Sequence, residues 1–284
     1  MGTKAKHPTE DEVIRGSSVL ITGGARGMGE LYARRAVAAG ASAIALWDVD
    51  GDRARALAAE LDRPATAVRA YVVDLGDREA IREAYARTVA ESGAPDVLIN
   101  NAGIVRGALF WDHDAERDIE AIMRVNTLGP MWLTREALPD MMADRSRPKR
   151  ILNVASAAGL LANPRMSVYA SSKWAMLGWS DSLRLELERE DAGRVRVTTF
   201  CPSYISTGMF AGARGPLMTP VMTPRRAVAA AWRGMILGTP IVTKPWTVKL
   251  SAALRGVLPV RLWDLIAGKI FHVYSSMDRF TGRS

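Results

Sequence analysis

Seven short apolar segments, rich in β-branched residues, alternate along this chain with segments of helical periodicity. An unbroken apolar run of about four to eight residues is typical of a strand that is buried on both faces of a sheet. Strands and helices in alternation favour an α/β fold, with a doubly wound parallel sheet and helices on both faces. The predicted strands are residues 18–22, 42–48, 68–74, 96–100, 150–156, 195–200 and 240–244.

The predicted helices lie between these strands and leave no linker that would divide the sheet, so residues 1–244 are predicted to form one domain. Residues 203–222 are rich in Gly, Pro and Met without a clear period, which indicates a mobile loop. Residues 245–284 are interpreted as a basic, amphipathic helical extension of the same domain. The helices are predicted at residues 28–39, 51–62, 77–92, 114–143, 166–190 and 224–237.

Composition excludes several classes of protein. The single cysteine, Cys201, cannot form an internal disulfide, and one cysteine with three histidines gives no ligand set for structural zinc, so no metal is predicted. No apolar run reaches the ~18 residues of a membrane-spanning helix, and residues 1–16 contain no apolar signal segment. These features predict a soluble, cytoplasmic protein.

The net charge of +8 is concentrated near the carboxyl terminus. Residues 241–284 contain seven Lys or Arg and two Asp, a net +5, which leaves about +3 for the rest of the chain. The main body shows no basic stripe with interleaved aromatic residues. Nucleic-acid binding is therefore not predicted.

A glycine-rich turn follows the first predicted strand and precedes a helix. Glycine permits a sharp turn and a close approach of the backbone to a ligand. The helix amino terminus then presents free N–H groups and a positive dipole end to a pyrophosphate. The spacing differs from the general GxGxxG fingerprint, but the position after the first strand predicts a dinucleotide site. The residues of this turn are Thr22, Gly23, Gly24, Arg26, Gly27, Met28 and Gly29.

The choice between NAD and NADP depends on two residues of opposite charge. Asp48 ends the second predicted strand, where a carboxylate accepts hydrogen bonds from the adenosine ribose and repels a 2′-phosphate. Arg26 has the opposite effect, because a cation in the turn can pair with that phosphate. Asp48 is expected to lie beside the ribose hydroxyls, so NAD is predicted and NADP is the alternative.

With these features the chain resembles the short-chain dehydrogenase/reductase family from about residue 14 to residue 244, which implies a Rossmann-type fold. Several independent motifs occur in the family's order, which makes the resemblance specific. One position departs from the family pattern, because Ser203 replaces the glycine that usually follows Pro202. The motifs are TGGARGMG (22–29), VVDL (72–75), NNAG (100–103), VNTLG (125–129), NVAS (153–156), YASSK (169–173) and CPSYIST (201–207).

The resemblance implies further cofactor contacts along the carboxyl edge of the sheet. It places Asp74 at the adenine, Thr207 at the nicotinamide carboxamide and Lys173 at the nicotinamide ribose. It also implies that Asn101, Ala102 and Gly103 form the wall of the site near the adenosine ribose. Neighbouring positions of the other motifs are expected to contact the cofactor as well. These additional cofactor-binding residues are Leu75, Asn101, Ala102, Gly103, Tyr169 and Pro202.

Tyr169 and Lys173 are four residues apart at the start of a predicted helix, so they share one helix face. A neighbouring ammonium and a nicotinamide cation both favour phenolate, so we expect a lowered pKa for Tyr169 and a role as general acid/base. Ser156 is predicted to donate to the substrate oxygen; its alternative is an N-cap serine. The resemblance assigns Asn126 to a water in a proton relay; its alternative is an amide bound to backbone.

The substrate is predicted to be an apolar secondary alcohol or ketone, such as a steroid, retinoid, terpenoid or lipid. Residues 203–222 offer a Met-rich apolar cap that suits an irregular, greasy molecule. The extension, 245–284, is expected to pack within or between subunits, and peripheral membrane contact is the alternative. It is similar to that of short-chain dehydrogenases related to 17-beta-hydroxysteroid dehydrogenases, and the family resemblance favours a homo-oligomer.

Two other functions remain open from the sequence. An NADP(H)-dependent reductase of 3-oxoacyl or other carbonyl groups is supported by Arg26. A non-catalytic dinucleotide sensor belongs to another class, but such a protein has no need of Tyr169. The main hypothesis is an NAD(H)-dependent dehydrogenase or ketone reductase.

Overall fold

Seven parallel strands form one sheet in the order β3-β2-β1-β4-β5-β6-β7. The computed structural model describes residues 8–217 and 219–282, and the statements below concern these residues. The predicted doubly wound α/β fold is confirmed, and each strand lies within two residues of its predicted ends. The strands are β1 Ser18–Thr22, β2 Ala43–Asp48, β3 Ala67–Val72, β4 Val97–Asn100, β5 Lys149–Val154, β6 Val195–Pro202 and β7 Ile241–Lys244.

Helices connect the strands and cover both faces of the sheet. α8 begins as predicted, because Thr223 Oγ1 accepts a hydrogen bond from the Arg226 N–H and Pro224 occupies the first helical position. The helices are α1 Glu10–Ile14, α2 Gly27–Ala38, α3 Gly51–Leu61, α4 Arg78–Ser92, α5 Ala121–Met123, α6 Gly129–Ala143, α7 Ser167–Glu190, α8 Pro224–Leu237, α9 Trp246–Val257 and α10 Val260–Leu265.

The prediction of burial on both faces is wrong for the two edge strands. In β3, Val68 and Tyr71 are buried, whereas Arg69 and Val72 are exposed. Ile241 in β7 is also exposed. Each edge strand has a neighbour on one side only, so part of its surface lies beyond the covering helices.

The long helix predicted at 114–143 is interrupted by two wider turns. π-helical segments at Ala115–Glu120 and Arg124–Leu128 flank α5, and the second one contains Asn126. A π-turn inserts an extra residue into a helix and is frequent at functional sites. Periodicity alone did not reveal it, because the flanking turns keep nearly the same direction.

Two apolar layers hold the sheet between its helices. On one side, Tyr32 of α2 stacks on Trp232 of α8 with ring centroids 6.5 Å apart. On the other side, Leu133 of α6 and Leu183 of α7 pack with residues of α4 and the sheet. The carboxyl ends of the strands are left open at the edge where strand order reverses, which is where doubly wound sheets bind ligands.

The extension folds back over this edge and meets the loop 203–222. Two backbone hydrogen bonds join them, from the Arg214 N–H to Ser276 O and from the Leu217 N–H to Phe271 O. Trp263 of α10 is buried, which anchors the extension to the same chain. Within the described ranges, the helices include none with the length and apolarity that a membrane crossing requires.

Candidate active site

The glycine turn between β1 and α2 has the backbone geometry that only glycine accepts easily. Gly23 and Gly27 have φ values of +60° and +62°. A Cβ built on Gly29 would lie 1.9 Å from the Gly23 carbonyl oxygen, so the helix can begin here only without a side chain. The turn therefore brings the amino end of α2 against the end of β1, as a pyrophosphate cradle requires.

A cleft of about 1350 Å³ lies beside this turn, at the carboxyl ends of the central strands. It is partly open to solvent, and its volume is large enough for a dinucleotide. Most of the predicted cofactor-binding and catalytic residues line it. They are Gly23, Arg26, Gly27, Met28, Asp48, Asp74, Leu75, Asn101, Ala102, Gly103, Ser156, Tyr169, Lys173, Pro202 and Thr207.

Thr22, Gly24 and Gly29 support the cleft rather than line it. Thr22 Oγ1 accepts hydrogen bonds from the N–H groups of Asn101 and Ala102, at 3.0 and 3.1 Å. The Asn101 amide in turn donates to the carbonyl oxygens of Thr22 and Gly23. These bonds fix the glycine turn against the loop after β4, which sets the width of the cleft.

Asp48 is nearly buried at the end of β2, and both of its carboxylate oxygens are held by backbone. Oδ2 accepts from the Ala25 N–H and Oδ1 from the Asp50 N–H, each at 3.0 Å. Arg26 lines the same part of the cleft and is exposed. Asp48, expected to repel a 2′-phosphate, and Arg26, expected to pair with one, therefore line the same cleft. Asp48 is the one held in place by backbone hydrogen bonds.

Tyr169 and Lys173 lie in the first turns of α7 and face the cleft. Their relative exposures are 4% and 3%. Lys173 Nζ lies 5.8 Å from the Tyr169 ring centroid and donates to the Val154 carbonyl oxygen at 2.9 Å. The spacing of four residues places both groups on one helix face, as expected from the sequence.

The expected lowering of the Tyr169 pKa is not found. Burial raises the pKa of Tyr169 to about 12, against a smaller lowering by a hydrogen bond with Ser156. Burial also lowers the pKa of Lys173 to about 8. The sequence argument considered only the attraction between charges, whereas in the folded chain the loss of water around both groups is the larger effect.

Ser156 caps a short turn, as the alternative reading held, and its role towards a substrate oxygen stays a prediction. Its Oγ accepts a hydrogen bond from the Ala158 N–H at 3.1 Å and so caps the short 3-10 turn Ala157–Gly159. The same residue lines the cleft and also a second cavity. A serine at the junction of two cavities is well placed to contact a substrate oxygen.

Asn126 does not line the cleft; it is fully buried behind it. Its Oδ1 accepts from the Ile104 N–H, and its Nδ2 donates to Ile104 O and to Ser172 Oγ. The amide therefore binds backbone, as the alternative reading held. A Cβ on Gly103 would lie 3.2 Å from Asn126 Oδ1 and 3.5 Å from Lys173 Nζ, so these two groups border the same glycine.

Ser172 lies behind the cleft, next to Asn126 and the start of α7. It is fully buried, receives the hydrogen bond from Asn126 and donates to the Tyr169 carbonyl oxygen at 2.7 Å. Ser171, by contrast, is exposed and donates to Ser167 O. A motif with two adjacent serines does not reveal which of them points inward.

The second cavity, of about 970 Å³, extends from Ser156 under the loop 203–222 and α9. No charged side chain of the described residues lines it, and most of its wall is apolar. From the predicted Met-rich cap, Phe210 and Leu217 line this cavity, whereas Met209 lines the cofactor cleft. Met218 lies outside the described residues.

Two members of the predicted cap lie elsewhere. Val221 is exposed, and Met222 packs against the core beside α2 and α8. Neither of them lines the cavity. The loop turns away after Thr219, and the Met222 N–H donates to Tyr204 O, so its end returns to the start of the loop.

Residues of the extension complete the surroundings of Tyr169, and the sequence did not identify them. Met277 packs with Met166 and Tyr169. Phe280 packs on Phe210, whose ring meets the edge of Tyr169 at 5.8 Å between centroids. No local signal could have shown this contact, because Met277 and Tyr169 are more than one hundred positions apart.

The switch-point cleft and the paired Tyr169 and Lys173 facing it define the chain as a dinucleotide-dependent oxidoreductase. It belongs to the short chain dehydrogenase family, whose model matches residues 17–216. This confirms the resemblance that the motifs indicated.

Two characterised members of the family show which dehydrogenases this chain is similar to. It is 31% identical to estradiol 17-beta-dehydrogenase 11 of Rattus norvegicus, over 93% of this chain and 87% of that protein. It is also 31% identical to epidermal retinol dehydrogenase 2 of Mus musculus, over 95% of this chain and 87% of that one. The chain is thus an oxidoreductase related to steroid and retinol dehydrogenases.

A solved structure shares the fold. A short chain dehydrogenase/reductase from Burkholderia phymatum in complex with NAD superimposes with a TM-score of 0.77. The match covers 86% of this chain and 94% of that chain, at 21% sequence identity.

Proposed function

We propose that this protein is an NAD(H)-dependent dehydrogenase or ketone reductase that acts on a secondary alcohol or ketone of an apolar molecule. The observation that carries the proposal is the junction at Ser156, where a largely apolar cavity meets the dinucleotide cleft. A substrate in that cavity has its oxygen next to Ser156 and close to Tyr169. The steroid and retinol dehydrogenases among the relatives support an apolar substrate.

NAD is the proposed cofactor, and the residues of the cleft fit it. The glycine turn presents backbone without a side chain at Gly23 and Gly27, and both residues line the cleft. Asp48 is held rigidly by two backbone N–H groups where a ribose is expected, and its negative charge opposes a 2′-phosphate. The structure from Burkholderia phymatum contains NAD, which supports this choice.

In the proposed mechanism, Tyr169 takes the proton from the substrate hydroxyl during oxidation and returns it during reduction. The bound nicotinamide supplies the hydride acceptor or donor. The Ser156 hydroxyl donates to the substrate oxygen and stabilises the charge that develops there. Lys173 holds a positive charge beside the phenol, and Asn126 with Ser172 fixes the backbone around both.

The raised pKa of Tyr169 is consistent with an acid that stays protonated until substrate and cofactor arrive. A phenol with a pKa of about 12 is almost fully protonated at neutral pH, so little phenolate is present to accept a proton. The positive nicotinamide of oxidised NAD would favour phenolate and move that pKa downward. Proton removal is therefore expected to be linked to occupation of the cleft.

The test measures NADH formation across a panel of secondary alcohols, from small aliphatic to steroid, retinoid-like and terpenoid, with NADP in parallel. Tyr169→Phe should lose several orders of magnitude in turnover and keep NAD binding. The matched control is Tyr71→Phe, a buried tyrosine on β3 away from the cleft, which should keep activity. Substantial activity in Tyr169→Phe would reject the assignment.

An NADP(H)-dependent carbonyl reductase is a second candidate, which the exposed position of Arg26 in the cleft favours. A guanidinium there can pair with a 2′-phosphate. The parallel assay with both cofactors decides between the two. A higher kcat/KM with NADPH than with NADH would support this candidate.

We also propose that the extension contacts an anionic lipid surface. Between Trp246 and Ile270 seven large apolar side chains are exposed, and Val257 and Val260 are 83% and 73% exposed. The exposed cations Lys249, Arg261 and Lys269 have no ion pair among the described residues. Such a surface suits insertion of apolar groups with cations at the lipid headgroups.

Vesicle co-sedimentation tests this contact. The protein should bind vesicles of phosphatidylcholine mixed with phosphatidylserine more strongly than phosphatidylcholine alone. Val257→Glu should weaken binding, and Val72→Glu, an exposed valine on β3, should not. Equal binding of the two variants would argue against the extension as the contact.

A homo-oligomer remains part of the proposal. α7 exposes Trp174 and Leu185, 42% and 54% accessible, on its outer face. Light scattering after gel filtration measures the mass directly. A dimer or tetramer that Leu185→Glu dissociates would support α7 as the interface, and a monomeric native protein would exclude it.

A further inference from the structure

We propose that Phe210 is a specificity-determining residue that restricts the space beside the reacting carbon, and that Phe280 of the extension holds it there. This inference rests on the proposed function and deepens it. The substrate class is an apolar alcohol or ketone whose reacting carbon carries one large group and one small group, such as methyl. The large group lies in the apolar cavity, and the small group lies against Phe210.

Phe210 stands where the dinucleotide cleft and the apolar cavity meet. Among the described residues, only Ser156, Ser203 and Phe210 line both spaces. Phe210 is the one of the three with a large side chain. The cofactor occupies the cleft and the apolar skeleton of the substrate occupies the cavity, so the reacting carbon lies at this junction. The Phe210 ring is therefore a wall of the space around that carbon.

The Phe210 ring also lies against the acid/base. It meets the Tyr169 ring edge to face, with 5.8 Å between the two centroids. In the proposed mechanism the substrate oxygen contacts Ser156 and Tyr169, so a group on the reacting carbon that points towards Phe210 has little room. In an apolar enzyme pocket, one methylene group that fits badly changes kcat/KM by about 10- to 200-fold. The size of this second group is therefore expected to decide which substrates react.

Two further aromatic rings pack on Phe210. Tyr204 meets it edge to face, with 5.4 Å between the centroids, and Phe280 lies at 6.4 Å. Tyr204 is itself fixed, because its hydroxyl accepts a hydrogen bond from the Asn163 amide at 3.1 Å. Aromatic pairs favour particular relative orientations of their rings. These contacts therefore stabilise the position of Phe210 at the junction.

Phe280 is supported from behind by the loop that follows β4. A Cβ built on Gly107 would lie 2.4 Å from Phe280 Cδ1, and the three atoms nearest to it all belong to the Phe280 ring. The ring therefore lies on the backbone of Gly107 and fills the space between Gly107 and Phe210. Gly107 has no positive φ, so alanine is compatible with its backbone and the Phe280 ring is the group that has to move.

Backbone hydrogen bonds fasten the end of the extension to the turn that carries Phe210. The N–H groups of Thr281 and Gly282 both donate to the Ala211 carbonyl oxygen, at 3.0 and 3.3 Å. The residues directly after Phe280 are thus bound to the residue directly after Phe210. Phe280 is accordingly a positioning residue, which acts on the reacting carbon through Phe210.

The experiment compares two isomeric alcohols, decan-2-ol and decan-5-ol, in their oxidation with NAD. The reacting carbon carries methyl and octyl groups in the first isomer, and butyl and pentyl groups in the second. Their composition is the same, so the comparison isolates how the carbon atoms are divided between the two groups. The native protein should favour decan-2-ol by about tenfold or more in kcat/KM. Binding of the two corresponding ketones to the NADH complex is measured in parallel.

Phe210→Ala should bring this ratio close to one, mainly by raising kcat/KM for decan-5-ol. Phe280→Ala and Gly107→Ala should each lower the ratio by about threefold, the equivalent of one lost aromatic contact. The control is Phe110→Ala, at an exposed phenylalanine of the same loop as Gly107, which should keep the native ratio. Each ratio is taken within one variant, so a general loss of folded protein cancels. Phe210→Leu is measured as well, in case the alanine variant does not fold.

The proposal is overturned if the native protein prefers neither isomer, both in turnover and in ketone binding. It is also overturned if the variants of Phe210 keep the native ratio. If these variants change the ratio but Phe280→Ala and Gly107→Ala do not, the role assigned to the extension is wrong. Failure of the proposed function looks different, because then neither alcohol is oxidised and Tyr169→Phe changes nothing. Unequal binding of the two ketones, lost in Phe210→Ala, would still support Phe210 in that case.

Discussion

The Lys173 ammonium donates a hydrogen bond to the Val154 carbonyl oxygen at 2.9 Å. Val154 is the last residue of β5, and Ser156 follows it by two positions. This bond therefore fixes the start of α7, with Tyr169, to the strand end that carries Ser156. This position removes the Lys173 ammonium almost fully from water, which disfavours its charged form and lowers its pKa.

Lys173→Met should change the pH dependence of stability. The folded pKa of Lys173, about 8, lies below its ordinary value of 10.5. The unfolded chain therefore binds more protons in this window, and the lysine's contribution to stability rises from pH 8 to 10.5. The free energy of unfolding of the native protein, relative to Lys173→Met, should increase by ~3 kcal/mol across it, measured by urea denaturation.

Cys201→Ala gives a control of opposite sign. Burial raises the pKa of the Cys201 thiol from 9.0 to about 12. The thiol's contribution to stability is complete below pH 9 and falls as pH rises from there. Native stability relative to Cys201→Ala should thus decrease between pH 9 and 10.5. A flat profile for both variants would contradict the burial argument.

Asp48→Asn should weaken discrimination against NADP. The amide keeps one oxygen acceptor for the backbone N–H groups and removes the charge that opposes a 2′-phosphate. We expect the ratio of kcat/KM for NAD to that for NADP to fall by roughly tenfold, the equivalent of about 1.4 kcal/mol. Asp52→Asn, at an exposed carboxylate of α3, should leave the ratio unchanged.

Gly29→Ala should damage both stability and cofactor binding. Its Cβ would lie 1.9 Å from the Gly23 carbonyl oxygen, so the glycine turn must shift. We expect a loss of roughly 1–3 kcal/mol in stability, typical of overpacking, and a weaker affinity for NAD by fluorescence titration. Gly178→Ala is the matched control, because a Cβ there meets nothing within 4 Å and alanine favours the α7 helix.

Ser172→Ala should lower turnover, although the serine does not line the cleft. It leaves the Asn126 Nδ2 with one partner fewer in a buried site, at a cost of roughly 1–3 kcal/mol in stability. Loss of this support should also reduce kcat more than it raises KM. Ser171→Ala, one position earlier and exposed, should change neither quantity. Equal effects of the two variants would remove Ser172 from the site's framework.

Local pattern was sufficient for the strands and for the start of α8, but not for the π-helical turns on either side of α5. Buried apolar runs predicted all seven strands, and Thr223 with Pro224 marked the start of α8. Tyr169 and Lys173 share a helix face by their spacing alone. These features are local, because backbone hydrogen bonding and side-chain periodicity are decided within a few residues.

Burial was harder to predict than position. The sequence indicated a lowered pKa for Tyr169, whereas packing by Met166 and Met277 surrounds the phenol with apolar atoms and raises it. The same holds for Ser172 and for Asn126, whose partners come from other segments. Desolvation depends on all neighbours of a group, and most of them are distant in sequence.

The pattern of residues along the chain was enough to predict the parallel sheet, the glycine turn and the order of the motifs around the cleft. Which side chains close the site became known from the folded chain, because the extension brings Met277, Phe280 and Ser276 onto loops far from them in the sequence. The physical reason is that strand and helix formation is governed by local periodicity, whereas a cavity is formed by surfaces that meet only after folding.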